Sequence, residues 1–150
     1  MLKKELNSRL VGEILKALRK HHINPEAVIL HGSYAKGTYI EELSDLDILI
    51  ISENFRHLDM PKRFSLLANI FKGFKPHIEA IGYTRQEILE QMEKLNPLIL
   101  DALEYGKPLH GRELFEQLKS IFEQLKKQLN LKPIKHGWIY KSPQKTMDLR

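Results

Sequence analysis

The chain has 150 residues, enough for one domain with a sizeable core and too few for two comfortable domains. Its composition, 42% hydrophobic and 29% charged with no cysteine, is typical of a soluble globular protein and excludes disulfides, thiolate metal sites and cysteine catalysis. The formal net charge is +5, but residues 130–150 carry five basic residues against one acidic residue, so the basic residues are concentrated in a tail rather than on a broad nucleic-acid-binding face.

The first predicted element is an amphipathic helix from Leu2 to His22, in which Leu, Ile and Val recur at three- and four-residue spacing. No long hydrophobic region follows the N-terminal lysines, as a signal peptide would require. No apolar run reaches about 18 residues, the length of a membrane span. We therefore expect a cytoplasmic protein with no membrane partner.

A short apolar strand, predicted near residues 27–31, leads into a turn that could hold a phosphate. The turn begins with Gly32, which lets the backbone approach a ligand closely, and with Ser33, which offers a hydroxyl and a helix N-cap. A short helix from Tyr34 to Tyr39 would then direct its free N–H groups at the phosphate. Gly37 would limit this helix to a turn or two.

Two acidic residues lie at the start of the second predicted strand, near residues 45–51. Asp45 and Asp47 are two positions apart, so both side chains project from the same face of the strand. A charge at Asp47, inside an apolar run, costs several kcal/mol unless it is paired or bound to a metal. Two carboxylates that face a phosphate would suit Mg²⁺.

The spacing of these residues resembles the signature of a known family. Gly32-Ser33, eleven further residues and then Asp45-Leu46-Asp47 is similar to the motif of the nucleotidyltransferase superfamily that includes DNA polymerase beta. The strings GSYAKG and SDLDILI resemble its minimal nucleotidyltransferase branch, found in prokaryotes. The resemblance implies a nucleotidyltransferase fold of the α/β (α+β) class, with a small mixed β-sheet flanked by helices. The alternative from the residues alone is an Asx-turn and a chance carboxylate pair in a generic α/β protein.

The resemblance also requires a third acidic residue on the strand that follows the next helix. We predict that helix from Pro61 to about Ile70 and the strand near residues 76–82. Glu79 is the only acid in this strand, although the family more often has Asp, and His77 would share its face. A structural ion pair between Glu79 and Lys75 is the alternative to a metal-binding or general-base role.

The resemblance thus implies a complete set of site residues. Asp45, Asp47 and Glu79 are the expected catalytic residues and ligands of two Mg²⁺ ions. The nucleotide-binding candidates are Gly32, Ser33, Lys36 and Ser44. For Lys36, a solvent-facing role is as consistent with the sequence as a contact to phosphate. His31 is interpreted as a strand-end residue.

The rest of the chain is predicted to be mainly helical. A capping box opens a helix over residues 84–93, and further helices follow over residues 98–104 and 113–129, with an edge strand near residues 107–109 between them. The turn between the first two strands is too short for a parallel crossover, so we expect an antiparallel pair in a two-layer fold. Residues 1–129 would form the nucleotidyltransferase domain. Residues 130–150 would be a basic C-terminal extension with little structure, in which Trp138 docks on the domain or on a partner.

The function implied by the resemblance is transfer of a nucleoside monophosphate, AMP from ATP, to an acceptor hydroxyl by a two-metal mechanism. Minimal nucleotidyltransferases act beside helical HEPN-type partners, as antitoxins that adenylylate the partner. The alternative is a non-catalytic nucleotide-binding module that masks a HEPN-type partner. A nucleic-acid-binding protein led by the basic tail is a less favoured third interpretation.

Overall fold

A computed structural model describes residues 8–38 and 44–141, and the structural statements below concern these residues. One mixed sheet is built from β1 (Ala27–His31), β2 (Leu46–Ile51), β3 (Ile78–Tyr83) and β4 (Lys107–His110). The strand order is β3-β2-β1-β4. Strand β1 is antiparallel to both β2 and β4, while β2 and β3 are parallel. The predicted antiparallel pairing of the first two strands and the predicted edge strand are both confirmed.

The helices agree with the predicted elements to within a few residues. They are α1 (Ser8–Lys20), α2 (Gly32–Lys36), α3 (Met60–Ile70), α4 (Arg85–Glu93), α5 (Pro97–Tyr105) and α6 (Arg112–Leu129), with a 3₁₀ turn at Glu53–Phe55. The predicted start of α1 before Ser8 lies outside the described residues, as does Tyr39. Across the described ranges, no helix is both long and apolar enough to span a bilayer.

The short helix α2 begins earlier than predicted. Its N-cap is His31, which has an extended backbone and no side-chain capping bond, so the predicted N-cap role of Ser33 is wrong. The chain turns into the helix at Gly32, whose φ of +71° is unfavourable for residues other than glycine. Gly37 ends the helix in the left-handed conformation, as predicted.

Helices cover both faces of the sheet, so the fold has three layers rather than the predicted two. One core packs α1 and α3 on the face that carries Val28, Leu30, Ile48 and Ile50. The other packs α4, α5 and α6 on the face that carries Ile29, Leu49 and Ile51. The strands β1 and β2 are apolar at nearly every position, and such strands need cover on both faces.

The segment after α6 is more ordered than the sequence predicts. Strands β5 (Lys132–Ile134) and β6 (Gly137–Ile139) form an antiparallel hairpin, so the prediction of little structure is wrong for this segment. The hairpin docks through Trp138, whose Nε1–H donates to Asp101 Oδ1 at 2.8 Å and whose ring packs edge-on against Phe122. The predicted docking of Trp138 on its own domain is thus confirmed.

A buried arginine ties the elements around β3 together. The side chain of Arg63, only 3% exposed, donates hydrogen bonds to the carbonyls of Phe55, Leu58 and Gly82. Its guanidinium also forms a bidentate pair with Glu87, at 2.7 and 3.0 Å. These hydrogen bonds from Arg63 are the main cause that lowers the pKa of the Glu87 carboxyl. One side chain therefore joins α3, the 3₁₀ turn, β3 and α4.

Replacement of Arg63 by leucine should destabilise the protein strongly, because it removes the cationic partner of the Glu87 carboxylate and a side-chain donor from three carbonyl groups. We expect a loss on the order of 3 kcal/mol in the free energy of unfolding, measured by urea titration. The matched control is Arg112→Leu, which removes an exposed ion pair with Glu116. It should cost less than about 1 kcal/mol. Equal losses in the two variants would contradict the assigned role of Arg63.

Candidate active site

The registers of β1, β2 and β3 bring charged residues together at one end of the sheet. In the antiparallel pair, Asp47 lies opposite His31. In the parallel pair, Asp47 lies beside Glu79. Directly paired residues project from the same face of a sheet, and Asp45 follows the same alternation from just before β2. The three predicted acidic residues therefore meet on the face that α4, α5 and α6 cover.

The carboxylate of Asp47 lies directly against the backbone of Gly32. A Cβ atom built on Gly32 would be 2.2 Å from Asp47 Oδ2, far inside the contact distance of any real side chain. Position 32 therefore requires glycine for two reasons, the positive φ and this contact. The contact places the predicted phosphate turn next to the second predicted metal ligand, although eleven residues separate Ser33 and Asp45 in the sequence.

The environment of Asp47 disfavours its charge. Burial raises the pKa of the Asp47 carboxyl to about 6, with further contributions from the nearby negative charges of Glu79 and Asp45. No ion pair to Asp47 is found among the described residues. A bound cation would relieve both effects, because it supplies the missing positive charge to a desolvated carboxylate.

The outer part of the site is suited to a metal ion. One donor atom each from Asp45, His77 and Glu79 lies within 4.8 Å of the other two, a separation that ligands of a single ion can adopt. Nδ1 of His77 is 3.0 Å from Asp45 Oδ1, and both side chains are exposed. With Asp47 next to Glu79, four candidate donor residues line this end of the sheet. We find that the residues present fit a divalent cation.

His77 is a candidate ligand to which the sequence analysis gave no role. It lies two positions before Glu79, and that spacing already placed both side chains on one face. What the sequence could not give is the parallel pairing of β2 and β3, which brings His77 within hydrogen-bonding distance of Asp45.

The predicted nucleotide-binding residues lie in different surroundings. Ser33 is half-buried in the first turn of α2, and Ser44 is half-buried directly before Asp45. Lys36 faces α5 instead, with Nζ 3.7 Å from Asp101 Oδ2 and 4.8 Å from the centre of the Tyr105 ring. A contact between Lys36 and a phosphate would therefore replace its contact with Asp101.

His31 lies at the end of β1, directly opposite Asp47 in the neighbouring strand β2. Burial lowers the pKa of its imidazole to about 4, so the ring is neutral near pH 7 and cannot serve as a cationic partner of Asp47. Its Nε2 atom is buried without a hydrogen-bond partner among the described residues. The interpretation of His31 as a strand-end residue is confirmed in its position.

Comparison with known proteins supports the motif-based interpretation. The family described as "Nucleotidyltransferase domain" matches residues 11–134. The "Putative protein adenylyltransferase MJ1305" of Methanocaldococcus jannaschii is 32% identical over 138 residues, which cover 84% of this chain and 89% of that protein.

Solved structures share the fold. A crystal structure of a toxin–antitoxin with AMP-PNP is similar with a TM-score of 0.53 and 22% identity, over 79% of this chain and 90% of that chain. A variant of the toxin–antitoxin MntA-HpeT is similar with a TM-score of 0.53 and 21% identity, over 83% and 92% of the two chains. The mixed sheet flanked by helices is thus an established arrangement.

Gly32→Ala should displace Asp47 as well as strain the backbone. The positive φ alone costs about 1–2 kcal/mol. Gly73 is a matched control, because it has a φ of +86° but nothing within 4 Å of a built Cβ. We expect the free energy of unfolding, measured by urea titration, to fall more for Gly32→Ala than for Gly73→Ala. Gly32→Ala should also lose any increase in melting temperature that Mg²⁺ gives the wild type. Equal losses in the two variants would exclude a contact between Gly32 and Asp47.

Removal of the Asp47 charge should stabilise the metal-free protein in a pH-dependent manner. The folded pKa of about 6 exceeds the ordinary value of 3.8, so stability present below pH 4 is lost as the pH rises towards 6. With EDTA present, Asp47→Asn and the wild type should differ little at pH 4. Above pH 6 the variant should be more stable by about 1 kcal/mol, a value discounted for solvent screening. Urea titrations across this range test it, with Glu93→Gln as a control that should show no such trend.

Proposed function

Because the chain belongs to the nucleotidyltransferase domain family, we propose that it transfers AMP from ATP to a hydroxyl group of a partner protein. The observation that carries the proposal is the meeting of Asp45, Asp47 and Glu79 at one end of the sheet, beside the Gly32 turn. Such an arrangement places carboxylates next to a site for phosphate, as nucleotidyl transfer requires.

The proposed phosphate site uses the turn after β1. The Gly32 backbone and the Ser33 hydroxyl hold the β- and γ-phosphates, and Ser44 contributes from the start of β2. Lys36 exchanges its contact with Asp101 for a phosphate oxygen. Gly32, Ser33 and Lys36 all belong to the five-residue helix α2, which ends at Gly37.

The proposed metal ligands are Asp45, Asp47 and Glu79, with His77 as a neighbouring donor. Magnesium ions, when bound there, would stabilise the charge on the attacking oxygen of the acceptor and on the oxygen of the leaving pyrophosphate. This interpretation gives the Asp47 carboxylate a role at a position where the raised pKa shows that its charge is disfavoured. Chelation should remove ATP binding, because the three carboxylates alone repel a polyphosphate.

In the transfer step, Glu79 is the proposed general base. Its carboxylate accepts the proton of the acceptor hydroxyl while the hydroxyl oxygen attacks the α-phosphorus of ATP. The bond from that phosphorus to the bridging oxygen of the β-phosphate breaks, and pyrophosphate leaves. The protein's remaining role is to position the two reactants and exclude misaligned water, so a small domain is sufficient.

The acceptor class is supported by one relative. The 32% identical protein of M. jannaschii carries the name of a protein adenylyltransferase, which favours a protein acceptor over a sugar or a nucleic acid. Two solved structures of similar fold are described as toxin–antitoxin proteins. A helical HEPN-type partner is therefore the first acceptor to test, with this chain as the antitoxin that modifies it.

Glu79→Gln should separate binding from chemistry. We expect pyrophosphate release and transfer of label from α-labelled ATP to fall by about 10²- to 10⁴-fold, because a general base acts only in the chemical step. ATP affinity in the presence of Mg²⁺, measured by calorimetry, should change only a few-fold. The control is Glu93→Gln, an exposed residue on α4.

Two outcomes would contradict this proposal. Unaltered turnover with a lowered melting temperature would make Glu79 a structural acid. ATP binding by the wild type without transfer to any protein in a lysate of the source cells would favour a non-catalytic module that masks its partner.

A further inference from the structure

A second cavity lies outside the carboxylate site, between the C-terminal half of α1 and the turn that precedes β3. Its volume is about 490 Å³. Four lysines line this cavity, which we call the lysine groove: Lys16 and Lys20 from α1, and Lys72 and Lys75 from the turn. Phe74, which lies between Lys72 and Lys75 in the sequence, adds an apolar side chain to the lining of the cavity.

The lining of the lysine groove has an excess of positive charge, with four lysines and one glutamate. None of its four lysines lies within ion-pair distance of a carboxylate in the described ranges. The one acidic residue that lines the cavity, Glu13, is paired with Arg9 at 3.4 Å. Lys16 and Lys20 are four positions apart on a helix, where like charges repel. A cluster with such an excess of positive charge lowers its free energy when an anionic ligand binds.

The lysine groove shares two lining residues with a cavity that reaches the carboxylate site. Lys72 and Gly73 also line a neighbouring cavity of about 400 Å³, which extends to His77 and Glu79. Phe64, 49% exposed, forms part of its apolar wall. This neighbouring cavity follows β3, which is one of the two edge strands of the four-stranded sheet. The outer edge of β3 could therefore pair with another strand at the Ile78 end, whereas the carbonyl of Gly82 already accepts a hydrogen bond from Arg63.

The position of this path suits an acceptor. The predicted phosphate turn follows β1, and the strand order β3-β2-β1 places Glu79 on the opposite side of Asp47 from that turn. In an in-line displacement, the attacking group and the leaving pyrophosphate lie on opposite sides of the α-phosphorus. The acceptor should therefore arrive from the β3 side, along the path that begins at the lysine groove.

We propose that the lysine groove binds an acidic segment of the acceptor polypeptide, which then runs along the β3 edge so that its hydroxyl side chain reaches Glu79. This inference rests on the proposed transfer to a protein. An open strand edge and the phenylalanine walls fit a polypeptide, because backbone pairing and apolar side chains are what it can use. Residues 1–129 carry a net charge of only +1, so this part of the chain lacks the general excess of basic residues that is typical of a nucleic-acid-binding domain.

The test uses the full chain and fluorescein-labelled poly(Glu,Tyr), a random acidic polypeptide that carries hydroxyl groups. Binding is followed by fluorescence anisotropy at two salt concentrations. The double variant Lys16→Glu/Lys20→Glu changes only α1, away from the carboxylates, and should weaken binding about tenfold or more. Lys16→Gln/Lys20→Gln should give a smaller loss in the same direction. The matched control is Lys94→Glu/Lys127→Glu, which makes the same charge change at two exposed positions, the C-cap of α4 and a residue of α6.

The result expected is poly(Glu,Tyr) binding that weakens with salt and in the Lys16/Lys20 variants but not in the control. Absent binding, or equal affinity in all variants, would overturn the inference. Tighter binding of labelled oligouridylate RNA through the same lysines would also overturn it and identify a nucleic-acid surface. Calorimetry with ATP and Mg²⁺ is run on the same samples. If the wild type does not bind ATP with Mg²⁺, the proposed transferase function is contradicted. The poly(Glu,Tyr) measurements decide the role of the groove in either case.

Discussion

The close approach of Asp47 to the backbone of Gly32 is the constraint on which the site depends. It exists because β1 and β2 pair in an antiparallel register that sets Asp47 opposite His31, one residue before the turn. A shift of that register by one position would turn the Asp47 side chain into the α1–α3 core and remove every acidic residue of β2 from the turn. The positive φ of Gly32 then brings the turn within contact distance of the carboxylate.

Much of this arrangement could be predicted from the sequence, because local patterns determine it. Asp45 and Asp47 alternate within an apolar run, and the short turn after Gly32 forces an antiparallel return. Pairings between distant segments could not be predicted in the same way. The contact between His77 and Asp45 needs the parallel register of β2 with β3, and the contact between Lys36 and Asp101 needs the packing of α2 against α5.

The layer count and the C-terminal hairpin were missed for related reasons. A fully apolar strand indicates burial, but the sequence does not show which helix packs on which face of the sheet. The structure places α1 and α3 on one face and α4, α5 and α6 on the other. The hairpin of β5 and β6 is short and exposed along most of its length, so it has no hydrophobic periodicity. Its contacts with the domain include Trp138, which reaches Asp101 and Phe122, and the buried Leu131 directly before β5.

Asp101 links the two ends of this arrangement. It accepts the indole hydrogen bond of Trp138 and lies 3.7 Å from Lys36, so one carboxylate contacts both the hairpin and the helix that follows Gly32. A phosphate that attracts Lys36 would take the positive charge away from Asp101. Asp101 would then keep its hydrogen bond from the neutral indole of Trp138. Since Lys36 and the hairpin line the same cavity of about 770 Å³, nucleotide binding and the position of the hairpin should be coupled through Asp101. The Arg63 network, by contrast, joins β3 and α4 through Gly82 and Glu87 and includes neither Asp101 nor Lys36. The site therefore combines acidic residues on β2 and β3 with the proposed phosphate turn, where Lys36 would exchange its contact with Asp101 for one with phosphate.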